Sequence, residues 1–477
     1  MYKLSIYKYI GLFGISMAVA SCKVPALPQL TEKKSVPITY NNNSDTTNTG
    51  NLQWRSFFND PNLVNLIDTA LKNNQELMIT LQEIEIAKND IRIRQGKLLP
   101  TVGAKVGLGV EKVGRYTSQG AGDAATEIAP GKEVPDPLMD YTLTAYANWE
   151  VDIWKKLHNA KKAAVTRYLS SIEGRNFVLT NLIAEVANSY YELLALDNQL
   201  ETVKQNIELQ RKALEVIKVQ KEATRVTELA VQKFRAEVLN SQSLEFEIIQ
   251  NIKETENKIN LLLGRYPQEI PRDKNNFLGL TPMAVHSGIP SQLLGNRPDI
   301  KKAELELAAA KLDVKVARAE FYPSLDISAA VGLQAFKPSY IIKFPESILY
   351  SLAGDLAGPL INRNGIKAEF NTANSHQLQA MYNYERTILN AYLEVSNQLS
   401  SIDNLDKSYN TKSEEVTALT RSIDISNDLF RSARADYLEV LMTQRDALAA
   451  KLELIETKKK QFNAITNVYR DLGGGWK

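Results

Sequence analysis

The sequence predicts a mainly α-helical fold with a smaller transmembrane β portion, built from two structural repeats. Three observations predict it. One stretch of the 477-residue chain recurs further along, alternating apolar and polar residues follow a proline in both copies, and two proline-free tracts are very long. Each repeat should therefore contain long helical hairpins and two β-strands.

The internal repeat aligns Asn74–Gly109 with Arg297–Gly332 and places Pro100 on Pro323. A helical pattern precedes the proline in both copies, and strict alternation follows it. Proline stops a helix because its ring cannot continue the hydrogen-bond ladder.

Four strands are predicted from the alternation, at about 101–113, 141–153, 324–334 and 347–357. Period-two alternation over about ten residues is typical of a transmembrane strand that lines an aqueous lumen, and equally of a soluble sandwich strand. Four strands cannot close a barrel, and lipid does not tolerate an open edge. Three protomers would supply twelve strands. The connecting loops, Gly114–Asp140 and Ala335–Ser347, are expected to face the exterior.

The helical tracts 155–222 and 366–433 could each run about 100 Å as continuous helix. Apolar residues recur every seven positions along both, which keeps one stripe facing a partner helix. Each tract is expected to turn and return as a second helix, at about 226–263 and 436–471. A soluble coiled-coil scaffold is the alternative interpretation.

The first 21 residues are typical of a signal peptide, with Lys3 and Lys8 before a short apolar stretch that ends in small residues. Cys22 follows directly, and Val19–Cys22 resembles a bacterial lipobox, whose cysteine carries lipid. An ordinary signal peptide with an incidental cysteine is the alternative. Residues 23–50 are rich in Pro, Asn, Thr and Ser, which is typical of an extended tether.

Composition excludes several classes of protein. Three histidines and one cysteine cannot form a Cys/His zinc site, and a net charge of +2 gives no basis for nucleic-acid binding. No G-x-S-x-G, phosphate-binding glycine loop or clustered catalytic triad occurs. We therefore predict a protein that is not an enzyme and uses no cofactor or metal.

Three motifs carry a specific resemblance. Pro290–Ile300 (PSQLLGNRPDI), Leu261–Gly264 with Pro267, and the tail Tyr469–Trp476 (YRDLGGGW) are similar to signatures of TolC-like outer-membrane efflux proteins. The tail resembles the lipoprotein branch that serves RND-type tripartite pumps. The likeness extends from about Trp54 to Trp476.

The resemblance implies a homotrimer, with a 12-stranded outer-membrane β-barrel continued by an α-helical barrel through the periplasm. It implies a lipid-anchored exit duct that contacts outer-membrane lipid, a periplasmic adaptor protein and an inner-membrane RND transporter. Drugs or other small toxic compounds would pass through it, driven by the transporter. The alternatives are a type I protein secretion channel and a structural coiled-coil lipoprotein.

The predicted domain organisation has six parts. They are the signal peptide 1–21, the lipidated tether 22–50, the first repeat 51–264, the linker 265–296, the second repeat 297–471 and the C-terminal tail 472–477.

The helical turns are the candidate docking sites for the adaptor, and they contain Thr224, Arg225, Ala433 and Arg434. The resembled family usually has glycine in these turns, whereas this sequence has Thr224 and Ala433. Because glycine is favoured where φ is positive, its absence means that the sequence does not predict the turn geometry. We expect Asp436 to cap the following helix.

The same likeness places a gate residue at Arg445 and puts Met442 where the family has an aspartate. Glu439, one turn earlier, is then the candidate acceptor in a periplasmic gate with Arg434, Asp436 and Arg445. Alternatively, these residues are solvated helix charges.

Overall fold

The computed structural model describes residues 24–27, 31–40, 45–274, 277–358 and 363–476. Cys22 and the predicted signal peptide lie outside the described residues. Among the described helices, none combines the length and apolar composition needed to cross a bilayer.

The described residues form seven main helices and four long strands. The helices are α1 (Pro61–Asn73), α2 (Gln75–Gly96), α3 (Lys156–Glu222), α4 (Glu228–Leu262), α5 (Pro298–Ala319), α6 (Asn364–Arg431) and α7 (Tyr437–Asp471). The strands are β1 (Thr101–Glu111), β2 (Leu138–Val151), β3 (Ser324–Ala335) and β4 (Ile348–Ala357). The predicted arrangement of two repeats, each with a long helical hairpin and two strands, is confirmed.

The described residues form two compact units. The first unit lies within residues 1–31, 86–168 and 305–381 and contains the sheet. The second lies within 32–85, 169–304 and 382–477 and contains most of both helical hairpins.

The sheet is antiparallel throughout, in the order β1–β2–β3–β4, so that β1 and β4 are its edge strands. Its register sets Val106 opposite Leu143 and Leu143 opposite Leu333. Residues that face each other across antiparallel strands lie on the same face of a sheet. All the apolar residues of the alternation therefore share one face, and the polar residues share the other.

The loops that join the strands contain secondary structure that their Gly, Pro and Ser content did not predict. The first forms a helix at Ser118–Ala125 and two short strands, Glu127–Ala129 and Lys132–Glu133. The second forms a helical turn at Pro338–Ile341. Both loops leave the same end of the sheet, because β1 and β3 run in the same direction across it.

The second unit buries the heptad rows of its long helices. Val186 and Leu193 on α3 and Val395 on α6 are fully buried, and Ile207 is nearly so. An aromatic cluster around Phe57, Tyr469 and Phe462 adds to this core. Seven-residue spacing thus serves packing between helices, as the pattern predicts.

A buried ionic network fixes the predicted linker 265–296 to the first hairpin. The guanidinium of Arg272 is almost completely buried and lies 3.0 Å from an Asp197 oxygen and 2.8 Å from a Glu256 oxygen. Two carboxylates around one planar guanidinium satisfy its donors where water does not reach. The linker also ends in a short helix, Leu293–Asn296, and is not loose chain.

The segment that we interpret as a tether is packed on the second unit from Glu32 onward. Lys34 Nζ lies 2.7 Å from Glu304, and the buried ring of Tyr40 stacks on Tyr392 with centroids 5.4 Å apart. Further along, Tyr469 Oη donates to the carbonyl oxygen of Leu52 over 2.7 Å. The described residues of this segment are therefore held in place by contacts with the helices.

Candidate functional site

The polar face of the sheet is the first part of the candidate site. It carries one lysine, Lys105, and five carboxylates, which are Glu111, Asp140, Glu150, Asp326 and Asp355. The register places Glu150 opposite Asp326 and Asp326 opposite Asp355. Like charges directly opposite one another destabilise a sheet. We therefore expect this row of carboxylates to face water, where it attracts cations.

The apolar face of the same sheet is unusually exposed. Val102 is 72% exposed and Val106 is 82% exposed on β1, and Tyr350 and Leu352 are similarly open on β4. A contiguous apolar surface of this kind marks contact with lipid or protein.

The junction between sheet and helices is tied by side chains of the first unit. Asp152 accepts hydrogen bonds from the backbone N–H groups of Leu157 and His158, at 2.9 and 2.8 Å, and so caps the start of α3. Trp154 donates from Nε1 to the carbonyl oxygen of Pro323 over 2.7 Å, and its ring stacks on Tyr322. These contacts join the end of β2 to the start of β3.

The helical tips are the second part of the candidate site, and the first tip closes α3. The N–H of Arg225 donates to the Gln220 carbonyl, and that of Thr224 donates to the Lys221 carbonyl, both over 2.9 Å. This pair of bonds is a Schellman motif, which requires a left-handed residue after the helix. Thr224 supplies it, with φ of 55°.

The second tip repeats this geometry at the end of α6. Arg434 N–H donates to the Leu429 carbonyl over 2.8 Å, Ala433 N–H donates to the Phe430 carbonyl over 3.1 Å, and Ala433 has φ of 57°. The candidate docking residues thus form two equivalent turns. The absence of glycine does not change the turn type, although it places two side chains in a conformation that L-residues rarely adopt.

An ion pair connects the two helices at the first tip. Lys221, in the last turn of α3, pairs with Glu228, the first residue of α4. The hydrogen bond from Lys221 lowers the pKa of Glu228 below its usual range.

The four candidate gate residues surround the start of α7. Asp436 occupies its N-cap position, but the side chain makes no capping hydrogen bond, so the expected cap is wrong. Arg445 is 56% exposed and pairs with the adjacent Asp446 at 3.5 Å, not with Glu439. Met442 is exposed beside them. In the described part of one chain, these four charged side chains therefore form no ion pair with one another.

A groove between the two hairpins was not predicted from the sequence. It has a volume of about 570 Å³ and lies between α3, Phe234 of α4, and the facing ends of α6 and α7. Gln444 is one of its lining residues and is 1% exposed, and its Oε1 forms no hydrogen bond with a described residue. In the heptad pattern, Gln444 is an ordinary helix position. The groove is therefore visible only once both hairpins are packed together.

The sequence motifs meet where the hairpins end. Gly264 and Gly473 follow α4 and α7 in the same Schellman geometry as the tips, with φ of 65° and 85°. A Cβ on Gly473 would lie 2.5 Å from the Asn296 carbonyl oxygen, which also accepts from Trp476 Nε1 over 3.1 Å. Arg297 donates to the Asp471 carbonyl over 3.0 Å. The N-R-P-D and G-G-G-W segments therefore pack on each other.

Burial shifts the pKa of one carboxyl group where these two segments meet. The carboxyl of Asp471 is almost fully buried, and burial raises its pKa although Arg470 and Arg297 are near. Its Oδ1 accepts a hydrogen bond from Arg470 Nε over 2.8 Å, whereas its Oδ2 has no hydrogen-bond partner among the described residues. In the described part of the chain, no group of three or more His, Cys, Asp or Glu residues is arranged to hold a metal ion.

Comparison with known families decides what this arrangement is. The family described as "Outer membrane efflux protein" matches residues 66–265 and 289–474, which is most of the chain and includes both hairpins. The chain is an outer membrane efflux protein. The predicted family and the outer-membrane location are confirmed.

Individual outer membrane efflux proteins are similar over nearly the whole chain. The pyoverdine export outer membrane protein OpmQ of Pseudomonas aeruginosa is 29% identical and covers 89% of this chain and 88% of its own length. The cation efflux system protein CusC of Escherichia coli is 25% identical over 90% of this chain and 89% of its own. A probable outer membrane lipoprotein, SilC of Salmonella typhimurium, is 26% identical and covers all of both chains.

Solved structures share the fold. A membrane protein from P. aeruginosa superposes with a TM-score of 0.84 at 23% identity, covering 94% of this chain and 97% of its own. The open state of the Neisseria gonorrhoeae MtrE outer membrane channel gives 0.81 at 22% identity, covering 95% and 98%. This efflux protein therefore has the fold of outer membrane channels.

Proposed function

We propose that three copies of this efflux protein assemble into one duct, with twelve strands in the outer membrane and the helical hairpins in the periplasm. The amphipathic sheet with two open edges carries this proposal. An unpaired edge is not stable in lipid, whereas β1 of one copy can pair with β4 of the next. The apolar face would then meet lipid and the acidic polar face would line the lumen.

Exposed apolar residues on the helices support the same assembly. Leu239 and Phe246 on α4 lie seven residues apart and are 57% and 70% exposed. Seven-residue spacing keeps such a row on one helix face, where a neighbouring helix of another copy can cover it.

The duct is passive in this proposal. An inner-membrane RND transporter supplies the energy, and a periplasmic adaptor joins it to the tips through Thr224, Arg225, Ala433 and Arg434. The cargo is a small compound, since the names of similar proteins concern pyoverdine, solvents and toluene, and cations.

Lipid on Cys22 would anchor each copy to the membrane surface. The lipobox carries this proposal, and the name of SilC as a probable outer membrane lipoprotein supports it. Mass spectrometry of the mature protein tests it: the N-terminal peptide should carry acyl chains, and Cys22→Ser should lack them. An unmodified cysteine in the mature protein would remove the anchor.

The assembly is tested by native mass spectrometry of the detergent-solubilised protein and by planar-bilayer recording. A mass of three chains and discrete conductance steps are expected. A monomer that does not insert into bilayers would overturn the duct.

The gate at the tip is a separate proposal, in which Arg445 of one copy meets Glu439 or Asp436 of its neighbour. Glu439→Ala and Arg445→Ala should raise single-channel conductance, because the closed tip would lose ionic contacts. Asp403→Ala and Lys407→Ala, which remove an exposed pair on α6, are matched controls. Conductance unchanged in both tip variants would exclude these residues from the gate.

The docking turns are tested by adaptor binding. Arg225→Glu, which leaves the four candidate gate residues unchanged, should abolish copurification of the adaptor and leave the conductance of the purified protein intact. Unchanged copurification would place the adaptor elsewhere.

A further inference from the structure

The apolar face of the sheet contains a groove at the end where both strand loops emerge. Its volume is about 460 Å³, and its lining includes Leu143 and Ala145 of β2, Val331 and Leu333 of β3, Ile348 of β4, and Phe344 of the β3–β4 loop. Thr144 is the one polar residue at its wall. The groove therefore suits a hydrocarbon chain and not a polar ligand.

The β3–β4 loop, residues 336–347, presents further apolar side chains beside this groove. Ile342 is 74% exposed and Phe344 is 62% exposed. The loop is nevertheless ordered, because the N–H and the hydroxyl of Ser347 both donate to the Lys343 carbonyl, at 3.0 and 2.8 Å. Large apolar groups held open by a fixed backbone are typical of a membrane-contacting segment.

Two lysines of this loop accompany the exposed apolar residues. Lys343 Nζ lies 4.5 Å from the centroid of the Tyr340 ring, and Lys337 Nζ lies 6.0 Å from that of Phe336. Neither lysine forms an ion pair with a described residue, and Glu346 is the loop's single carboxylate. Aromatic faces orient both ammonium groups without neutralising them.

The equivalent loop of the first repeat, residues 112–137, differs in charge. Its Lys112 pairs with Asp136 at 3.9 Å, and its carboxylates outnumber its basic residues by one. The combination of unneutralised lysines, exposed apolar residues and an adjoining apolar groove is thus a property of the β3–β4 loop.

We propose that this loop and groove bind an anionic, phosphate-bearing membrane lipid. One acyl chain lies along Leu143, Val331 and Phe344, and the headgroup phosphate contacts Lys337 and Lys343. The groove complements the acyl chain and the two lysines complement the phosphate. Free phosphate would leave the groove empty, and a neutral lipid would leave the lysines without a counter-charge. The inference rests on the proposed function, because it requires the apolar face to lie in lipid.

A tryptophan placed in the groove tests the proposal in the full-length protein. Phe344→Trp keeps an aromatic ring at this position, and its fluorescence is read as the difference from the parent. The protein is titrated in mixed micelles with bromine-labelled phosphatidylglycerol or bromine-labelled phosphatidylcholine, whose acyl chains quench nearby tryptophan. Half-maximal quenching is expected at a several-fold lower mole fraction of phosphatidylglycerol than of phosphatidylcholine.

Charge-matched variants assign that preference to the two lysines. Lys337→Gln with Lys343→Gln should abolish the preference for phosphatidylglycerol, whereas Lys112→Gln with Lys132→Gln, on the other loop, should keep it. Inorganic phosphate at millimolar concentration should not displace the lipid. Displacement by phosphate alone, or equal loss in both double variants, would overturn the site.

The two proposals fail in distinguishable ways. Equal quenching by both lipids overturns the lipid site and leaves the apolar face in lipid. If neither lipid quenches the introduced tryptophan of the Phe344→Trp variant while the protein is trimeric, the placement of the apolar face in the membrane fails as well.

Discussion

At the residue scale, Thr224 and Ala433 show how one turn geometry tolerates different side chains. Both adopt a left-handed backbone that glycine occupies without steric cost. The equivalent residues at the other hairpin ends are Gly264 and Gly473, where a Cβ would lie 2.3 and 2.5 Å from a neighbouring carbonyl oxygen. Glycine is therefore obligatory where another segment packs on the turn, and dispensable at the tips.

Glycine at the tips should stabilise them. Thr224→Gly and Ala433→Gly each remove a left-handed side chain, which costs about 1 kcal/mol. Amide hydrogen exchange at Arg225 and Arg434 should slow roughly fivefold, since 1 kcal/mol shifts an opening equilibrium by about that factor. Ala223→Gly, one residue earlier in right-handed backbone, should instead speed exchange. Faster exchange in Thr224→Gly would show that the left-handed backbone of Thr224 is not strained.

The raised pKa of Asp471 makes a pH-dependent prediction. Because the folded protein holds this proton more tightly than the unfolded chain, ionisation destabilises the fold as pH rises above the ordinary value of 3.8. Asp471→Asn should stabilise the protein at pH 7.5, because the amide carries no charge that burial penalises. The gain should disappear as pH falls toward 4 in thermal unfolding followed by circular dichroism.

Asp299→Asn is the control for Asp471→Asn. Asp299 accepts two hydrogen bonds from Arg297, at 3.0 and 2.7 Å, so its neutralisation should destabilise the fold at pH 7.5. Destabilisation by both variants would show that ionised Asp471 is favourable.

At the scale of elements, the strands could be predicted because each alternates strictly and is exposed to two different environments. The register is the reason: one face collects the alternating apolar residues from Val102 to Leu356, and the other face, although it includes Leu349, collects the charged residues. The pairing of β2 with β3 was not predictable, because no local pattern shows that strands from different repeats are neighbours. The loop helix Ser118–Ala125 was also missed, since it is only eight residues long and contains two glycines, which are poor helix formers.

The candidate site was predictable to a lesser degree. Turn positions followed from where the heptads stop, and the gate arginine followed from family likeness. The groove at Gln444 and the network at Arg272 depend on helices that are distant in sequence, so no spacing rule reports them. Residue type was even misleading at Asp436, a good N-cap residue whose side chain makes no cap.

The Arg272 network predicts a large effect on the linker and the first hairpin. Arg272→Met should lower the free energy of unfolding by about 3–5 kcal/mol, because it leaves Asp197 and Glu256 buried without their cation. Lys274→Gln, which removes an exposed pair with Glu269 at 3.3 Å, should change it by less than about 1 kcal/mol. Urea unfolding measures both. Similar effects of the two variants would show that the network is not buried in the assembled protein.

At the scale of the whole molecule, the charge of the polar face predicts which ions the assembled duct prefers. Threefold symmetry would multiply the row Glu150, Asp326 and Asp355 into nine carboxylates around one cross-section. Lys156 pairs with Glu150. Asp326 accepts a hydrogen bond from the Ser324 hydroxyl over 2.9 Å and forms no ion pair with a described residue, so much of this charge is not compensated. Rings of carboxylates raise the local concentration of cations in a pore.

The reversal potential in a KCl gradient should therefore indicate cation selectivity, and it should weaken at high salt as screening shortens the range of the charges. Glu150→Gln with Asp326→Asn and Asp355→Asn should move the ratio of potassium to chloride permeability toward one. A triple variant of the first loop, Asp123→Asn, Glu127→Gln and Glu133→Gln, removes the same charge away from the strands and should retain selectivity. If the loop variant alone lost selectivity, the acidic row would not face the conducting path, and the polar face of the sheet would not be the wall of the duct.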